Sequence, residues 1–239
     1  MKKKLSEALR LLDTVPPLLL TLMTLSVVGM NLLANKSINT GIPWLALDCG
    51  LLLSWLAFLT MDVMTHCYGP RAATVGSLTA MLLNLFMAAI FFAASKVPGV
   101  WGESFVEGSE AIINTALDHT VGGTWFVLLG SSIAFAVSAV ANNFLNWAIG
   151  ERLGDNKGFG TFALRSYIST FTAQFVDNIT FALLVSRVFF GWTLVQCVTC
   201  ALTGALLELL FEVFFSPVGY RIARKIMDRR TGALSEVAA

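Results

Sequence analysis

The sequence predicts an all-α integral membrane protein with six transmembrane helices. Three observations carry that prediction. Of the 239 residues, 56% are apolar and 13% are charged, with a mean hydropathy of +0.74. No soluble domain of this length buries so much apolar side chain. The apolar residues gather into six stretches of about 20 residues or more, the length a helix needs to cross about 30 Å of hydrocarbon. The basic residues fall almost entirely on one side of those stretches, as the positive-inside rule requires. The net charge of +1 supplies no bulk field for nucleic acid, and none is expected as a partner.

The first span is expected at about Val15–Ala34, entered through Pro16 and Pro17, since proline suits a helix start. Lys2, Lys3 and Lys4 precede it, as they would a signal peptide. The apolar stretch is long, however, no small-x-small site closes it, and Lys36 follows directly, so it reads as a retained span. The second span is expected at about Trp44–Met64 and the third at about Ala73–Ala94. An outer-surface loop, about residues 95–123, carries Glu103, Glu107, Glu110 and Asp118. Within it, Ala111, Ile112, Ile113, Ala116 and Leu117 have the spacing of a short helix lying on the surface. Trp101 and Trp125 would flank that helix at headgroup depth. The fourth span is expected at about Thr124–Ile149, the fifth at about Ser166–Phe190 and the sixth at about Trp192–Val218, with Gly191 making a tight hairpin of the last two. The ends, residues 1–12 and 221–239, are short and basic, and residues 1–239 read as a single six-span domain.

With the N-terminus inside, the inner segments hold all of the 16 basic residues except Lys36, Lys96 and Arg187. Both termini are therefore expected in the cytosol. The tail from Arg221 to Arg230 reads as an anchor on anionic lipid. Cys49, Cys67, Cys197 and Cys200 all lie in apolar segments. The Cys197–Cys200 spacing is that of a redox motif, but inside a lipid-embedded helix packing is the expected role. His66 and His119 do not pair with these thiols in a ligand spacing, so neither a metal nor another cofactor is expected.

Asp48, Asp62, Asp177, Glu208 and Glu212 interrupt or border the apolar runs. An ionised side chain at the bilayer centre costs roughly 2.5–3.5 kcal/mol or more. Such groups persist where they line a path or a pocket, so the class implied is a membrane transporter. Asp177 lies about 11 residues into the expected fifth span, near the midplane. Gln174 and Phe181 share its helical face, and Ser166 and Thr170 extend that face toward the cytosol. A carboxylate, an amide and a ring on one stripe can hold a flat, hydrogen-bonding ligand. The plainer reading is a polar stripe that joins helices. Glu208 and Glu212 are one turn apart and would repel if both were ionised. Proton relay or cation binding is one reading, and a salt bridge to Arg165 or to the basic tail is the other. Asp62 is expected at the cytosolic end of the second span, where solvation alone would account for it. Asn142, Asn143 and Asn146 place three amides in the inner third of the fourth span, Asn84 lies mid-span three, and Asn31 lies near the outer end of the first. Asp48 reads as an interfacial charge.

Several of these stretches resemble one family. Asn31-Leu-Leu-Ala-Asn-Lys36 resembles the Asn-x-Leu-Ala-x-Lys stretch that ends the first span of the vitamin uptake transporters, also called queuosine-precursor transporters. Met61-Asp62-Val63-Met64-Thr65-His66-Cys67-Tyr68-Gly69 is similar to its Asp-Val-x-Thr-Glu-x-Tyr-Gly segment, and Ser132 to Ser138 to its fourth-span run. Arg165, Ser166, Ser169, Gln174, Asp177 and Phe181 resemble its Arg…Ser…Gln-x-x-Asp…Phe signature. Pro217 and Tyr220 resemble the Pro-x-x-Tyr that closes its sixth span. The matches run in order over most of the chain.

The resemblance implies import of 7-deazaguanine precursors of queuosine, a modified tRNA nucleoside, across the bacterial inner membrane. It implies a fold related to the substrate-binding subunits of energy-coupling-factor vitamin transporters. Carried over residue by residue, it makes Asn31, Asp62, Arg165, Gln174 and Asp177 the substrate-binding residues, with Phe181 stacking on the ligand. The chain departs from the family pattern at His66, where the family has Glu. It departs at Ala139 and Asn142, where Gln and Asp are usual, and near Leu207 and Glu208, where Lys is usual. An acidic neighbourhood in place of that Lys inverts the local charge. The ligand implied is then a variant, one carrying an amine, or a different base or vitamin, with Glu208 among its contacts. The expected partners are this small molecule and the lipid bilayer, with an energising module of unknown identity left open.

Two other classes remain open. A substrate-binding subunit would need a separate ATP-driven module, because no Gly-rich nucleotide loop of the Walker type is present. Its docking face would be small-residue, and the first span, with Leu18, Leu19, Leu20, Leu22 and Met23, has no clear one. A membrane enzyme or other non-transport protein is the second class. No Tyr-Asp or Gly-x-Gly-Asp context surrounds Asp62 or Asp177, no catalytic residue is expected, and the soluble segments are too short to present much surface.

Overall fold

The computed structural model describes residues 2–38, 40–42, 44, 47–101, 108, 110–122, 125–154, 158–189 and 191–237. Glu103, Glu107, Thr124 and Phe190, named above, lie outside the described residues. The protein is an all-α integral membrane protein. Among the described residues, five helices are long and apolar enough to cross a membrane, and a sixth crossing is reached if a bent pair counts as one span.

That bent pair is α1 (Lys2–Asp13) and α2 (Pro17–Leu33), which turn by 107° at a short break. The basic end expected over residues 1–12 is therefore a helix in its own right. The break follows from chemistry: Thr14 Oγ1 donates back to Leu11 O at 2.7 Å, and two prolines without N–H groups follow. The 17 residues of α2 rise only about 25 Å, so α2 is short for a full crossing.

The second span begins later than expected. Residues Ser37–Ile38 and Leu47–Asp48 form a two-stranded antiparallel ribbon, β1 and β2, with Ser37 opposite Asp48. Cys49 N donates to Lys36 O at 2.9 Å, and Asp48 Oδ1 accepts from Gly50 N at 2.7 Å. The chain is thus tied back before α3 (Leu51–Tyr68) can start. Asp62 becomes the twelfth of the 18 residues in α3 and is fully buried. The expectation that it sits at a solvated helix end is corrected.

Gly69, at φ +84°, ends α3, and Pro70 starts α4 (Pro70–Ala94). The helix expected over Ala111–Leu117 is α5 (Glu110–Leu117), continued by a π-helical turn over Asp118–Gly122. Trp101 holds it, its backbone N donating to Asn114 Oδ1 at 2.6 Å and its Nε1 to Asp118 Oδ1 at 2.7 Å. The fourth span is α6 (Trp125–Leu153).

The fifth span, α7 (Phe159–Phe181), begins seven residues before Ser166, because the largely apolar Phe159–Leu164 extends it. A π-helical turn over Ala182–Ser186 and the short α8 (Arg187–Phe189) follow. Asp177 is consequently the nineteenth residue of α7 and lies farther from the start of the span than expected.

The last helix, α9 (Leu194–Val237), runs 44 residues straight through Pro217 and the basic tail. Proline removes one helical donor. Ser216 Oγ supplies a replacement, donating to Val213 O at 3.1 Å, the carbonyl that residue 217 would have reached.

The helix α3 packs against α2, α4, α6, α7 and α9. Its apolar stretch is 61% buried, against 22% for α4, which makes α3 an interior helix and α4 a lipid-facing one. The core gathers Met23 from α2, Phe58, Met61 and Met64 from α3, Phe135 from α6 and Phe162 from α7. Phe58 and Phe135 meet edge to face at 6.4 Å. Leu25, Phe86, Ile133, Phe144 and Phe214 point outward, as lipid-facing residues do.

Candidate functional site

The polar residues of the interior form two layers along α3 and α9. The two helices run in the same direction, so Ser54 and Asp62 on α3 face Glu208 and Glu212 on α9 in matching order. The end that carries Arg71, Arg152 and Arg165 is called the basic end below.

Asp62 centres the layer nearer the basic end. Its Oδ1 accepts from Asn142 Nδ2 of α6 at 2.7 Å. Its Oδ2 accepts from Thr170 Oγ1 of α7 at 3.1 Å and makes a close hydrogen bond with Ser166 Oγ. Ser166 Oγ also lies 2.6 Å from Glu212 Oε1 of α9. Asp62, Ser166, Thr170, Asn142 and Glu212 are all fully buried. Glu212 Oε2 has no hydrogen-bond partner.

Arg165 lies just below, on α7. Its Nε donates to Asn146 Oδ1 at 2.8 Å and its Nη1 to His66 Nδ1 at 3.0 Å. A guanidinium only donates, so neutral His66 carries its proton on Nε2. Arg165 thus bonds to neutral groups, while its charge acts on Asp62. The salt bridge considered for Glu208 and Glu212 is absent: among the described residues neither meets a cation, and each is in hydrogen-bond contact with a serine hydroxyl. Gly150 on α6 makes room for the guanidinium, since a Cβ there would lie 2.6 Å from Arg165 Nη1. Asn143 links the neighbouring helices, accepting from Thr65 Oγ1 and donating to Thr74 Oγ1, both at 3.2 Å.

The second layer holds Asp177, Gln174 and Glu208. Ser138 Oγ of α6 donates to Asp177 Oδ1 at 2.8 Å. Ser54 Oγ of α3 donates to Glu208 Oε1 at 2.9 Å. The charges of Asp177, Glu208 and Asp48 lie close enough to act on one another. Asp177 is half-buried, whereas Gln174 and Glu208 are buried. Gln174 Nε2 and Glu208 Oε2 have no partner, nor does Asn178 Nδ2 on the next turn of α7. A buried polar atom without a partner costs about 1–3 kcal/mol. The layer thus leaves both a donor and an acceptor open.

Six of the expected site residues are thereby gathered: Asp62, Glu212 and Arg165 in or beside one layer, Gln174, Asp177 and Glu208 in the other. Phe181 sits one turn past Asp177, at the end of α7. Asn31 is not brought to either layer. It is buried on α2, donates to Val27 O at 2.8 Å and accepts from Ser131 on α6, about two turns beyond Ser138. Asp48 is held by Gly50 beside the start of α3, and burial holds its carboxyl up at about 6 against the pull of that N–H.

Sequence reasoning missed Ser54 and Ser216. Both had a signal, because Ser54, Phe58 and Asp62 recur every fourth residue on α3, and Gly204, Glu208, Glu212 and Ser216 do so on α9. Tyr167 meets Ser216 at 2.7 Å. The basic tail also reaches back to α3. Arg230 donates to Cys67 O at the end of α3 and lies over the Tyr68 ring at 4.7 Å. Cys49, Cys67, Cys197 and Cys200 are all thiols, not disulfides.

No curated protein and no solved structure matches the chain. A family model does match, over residues 48–222, which takes in α3 to α7 and most of the apolar part of α9. With more than two thirds of its length matched, including both polar layers, the chain belongs to the putative vitamin uptake transporter family.

Proposed function

We propose that the chain imports a purine-like base of the 7-deazaguanine type, a queuosine precursor, across a bacterial inner membrane, holding it in the layer of Asp177, Gln174 and Glu208. The observation that carries the reading is the pairing of open groups there. Gln174 Nε2 is a buried donor without a partner, and Glu208 Oε2 is a buried acceptor without one. A guanine-type edge presents an N–H and an amino group beside a carbonyl. A carboxylate accepts the first two in a two-point contact, and an amide donates to the third. Phe181, one turn past Asp177, is within reach to stack on such a ring. The family supplies uptake of a small solute; the motif resemblance supplies this class of base. The distribution of basic residues supports an orientation with both ends of the chain in the cytosol.

Counterflow of a labelled 7-deazaguanine base by the purified protein in liposomes tests this. Unlabelled bases of the class should compete, without nucleotide or a second protein. Asp177→Asn should weaken competition by about tenfold or more, the worth of one charge-assisted contact. Competition by an unrelated vitamin and by none of these bases would overturn the assignment. A requirement for an ATP-hydrolysing module would favour a substrate-binding subunit.

A further inference from the structure

The contact between Asp62, Ser166 and Glu212 has a proton count that fixes more than its distances do. Ser166 has one hydroxyl proton and stands between two carboxyl groups, in hydrogen-bond contact with Asp62 Oδ2 and at 2.6 Å from Glu212 Oε1. If both acids were ionised, Ser166 would donate to one and turn a lone pair toward an anionic oxygen of the other, in a site that water does not reach. One of the two acids must therefore hold a proton and donate it to Ser166.

The remaining partners decide which. Asp62 receives three donors, from Asn142, Thr170 and Ser166, and the Arg165 charge acts on it. That is the surrounding of an anion. Glu212 receives no other donor, its Oε2 is unpartnered, and the nearest charge it meets is Asp62. That is the surrounding of a neutral acid. The other groups that face this pair are few. Arg165 on α7 bonds to Asn146 and His66, and its charge acts on Asp62. Glu208 lies one turn along α9 and is bonded to Ser54. Helix α6 offers only the amide of Asn142 at this level, with Glu151 beyond Arg165.

We infer that Glu212 is a proton-carrying site, joined through Ser166 to Asp62, and that it couples uptake to the entry of a proton. Transfer along this path balances. The Glu212 O–H bond breaks as a new Ser166 O–H bond forms, and the original Ser166 proton passes to Asp62 Oδ2. The result is an ionised Glu212 and a neutral Asp62, with the negative charge moved one helix across, from α3 to α9. Ionised Glu212 is one turn from Glu208, in the layer assigned to the ligand. An amine or other donor on the ligand is thereby set against the arriving charge. The coupling rests on the import reading above; the location of the proton does not.

Two measurements separate these claims. Infrared difference spectra of the purified full chain at neutral pH read the carboxylic-acid carbonyl directly. A protonated carboxyl band should be present, should vanish in Glu212→Gln, and should shift in Ser166→Ala. An unchanged band in folded Glu212→Gln overturns the proton assignment, whatever the ligand proves to be. In liposomes, an inward proton gradient should accelerate uptake of the labelled base at least several-fold in the unmodified protein, and Glu212→Gln should lose that acceleration. Acceleration that persists in Glu212→Gln overturns the coupling. Failure of the unmodified protein to take up any 7-deazaguanine base removes the import reading and the coupling with it, and the infrared result still stands or falls alone.

Discussion

Single residues in this interior differ more in their partners than in their type. Asp62 and Asp177 are both aspartates within a spanning helix, yet Asp62 accepts three hydrogen bonds and is fully buried, while Asp177 accepts one and is half-buried. Asp62→Ala leaves several buried donors and the Arg165 charge unanswered and should cost about 2–4 kcal/mol. Asp177→Ala should cost about 1 kcal/mol or less. Thermal unfolding in one detergent compares them, and equal losses would show that the three hydrogen bonds of Asp62 stabilise no more than the single one of Asp177. Asp48 makes a pH prediction. Its carboxyl is raised from an ordinary value of 3.8 to about 6 by burial. The folded state therefore binds this proton more tightly than the unfolded chain does. The stability it contributes is complete below about pH 4 and is lost as pH rises through about 6. Asp48→Asn should flatten stability between those limits, and a slope unchanged by the substitution would reassign it. At this scale Asp177 was conspicuous as a carboxylate deep in an apolar run, whereas Asp62 was marked by the family motif and its depth was misread as that of a solvated helix end. Ser54 was missed because serine is common in helices, and its fourfold spacing with Phe58 and Asp62 gains meaning only from its partner on α9.

At the scale of elements, the sequence located each hydrophobic helix and misplaced several ends. Apolar runs report where a helix can be buried, but the start of α3 is decided by the ribbon that pairs Ser37 with Asp48, a contact between segments that no local pattern records. The continuation of α9 through Pro217 was hidden for a similar reason: propensity marks proline as a stop, and the Ser216 hydroxyl that supplies the Val213 carbonyl is a property of the folded helix. The contact between α6 and α7 turns on Gly150, where a methyl group would meet the guanidinium of Arg165 at 2.6–2.7 Å. Arg165 is anchored by Asn146 and His66 and has little freedom to yield. Gly150→Ala should cost about 1–3 kcal/mol. Gly160→Ala, a position with open space around it, should be neutral or stabilise by up to about 1 kcal/mol. Melting temperatures of the two variants decide the matter, and a neutral Gly150→Ala would show that the helices part easily there.

Across the whole molecule, composition and charge announced a multi-pass membrane protein, and the depth of the acids announced a polar interior. The pairing of the layers was not legible, because it depends on α3 and α9 running in the same direction with Ser54 and Asp62 in step with Glu208 and Glu212. That arrangement has a consequence in time. Asp62 takes its donors from α6 and α7, and the ribosome makes α3 long before either. While α3 emerges, its carboxylate has none of the groups that later surround it and faces a penalty of roughly 2.5–3.5 kcal/mol, more than tenfold against insertion. A chain released after residue 122 should therefore leave α3 incompletely inserted, and one released after residue 189 should insert it fully, with Asp62→Leu erasing the difference. Glycan-site or cysteine-accessibility mapping of these nascent chains measures it. The same hydrogen bonds that shape the pocket thus set the order in which the protein can be born: α3 waits at the membrane until its successors arrive to receive it.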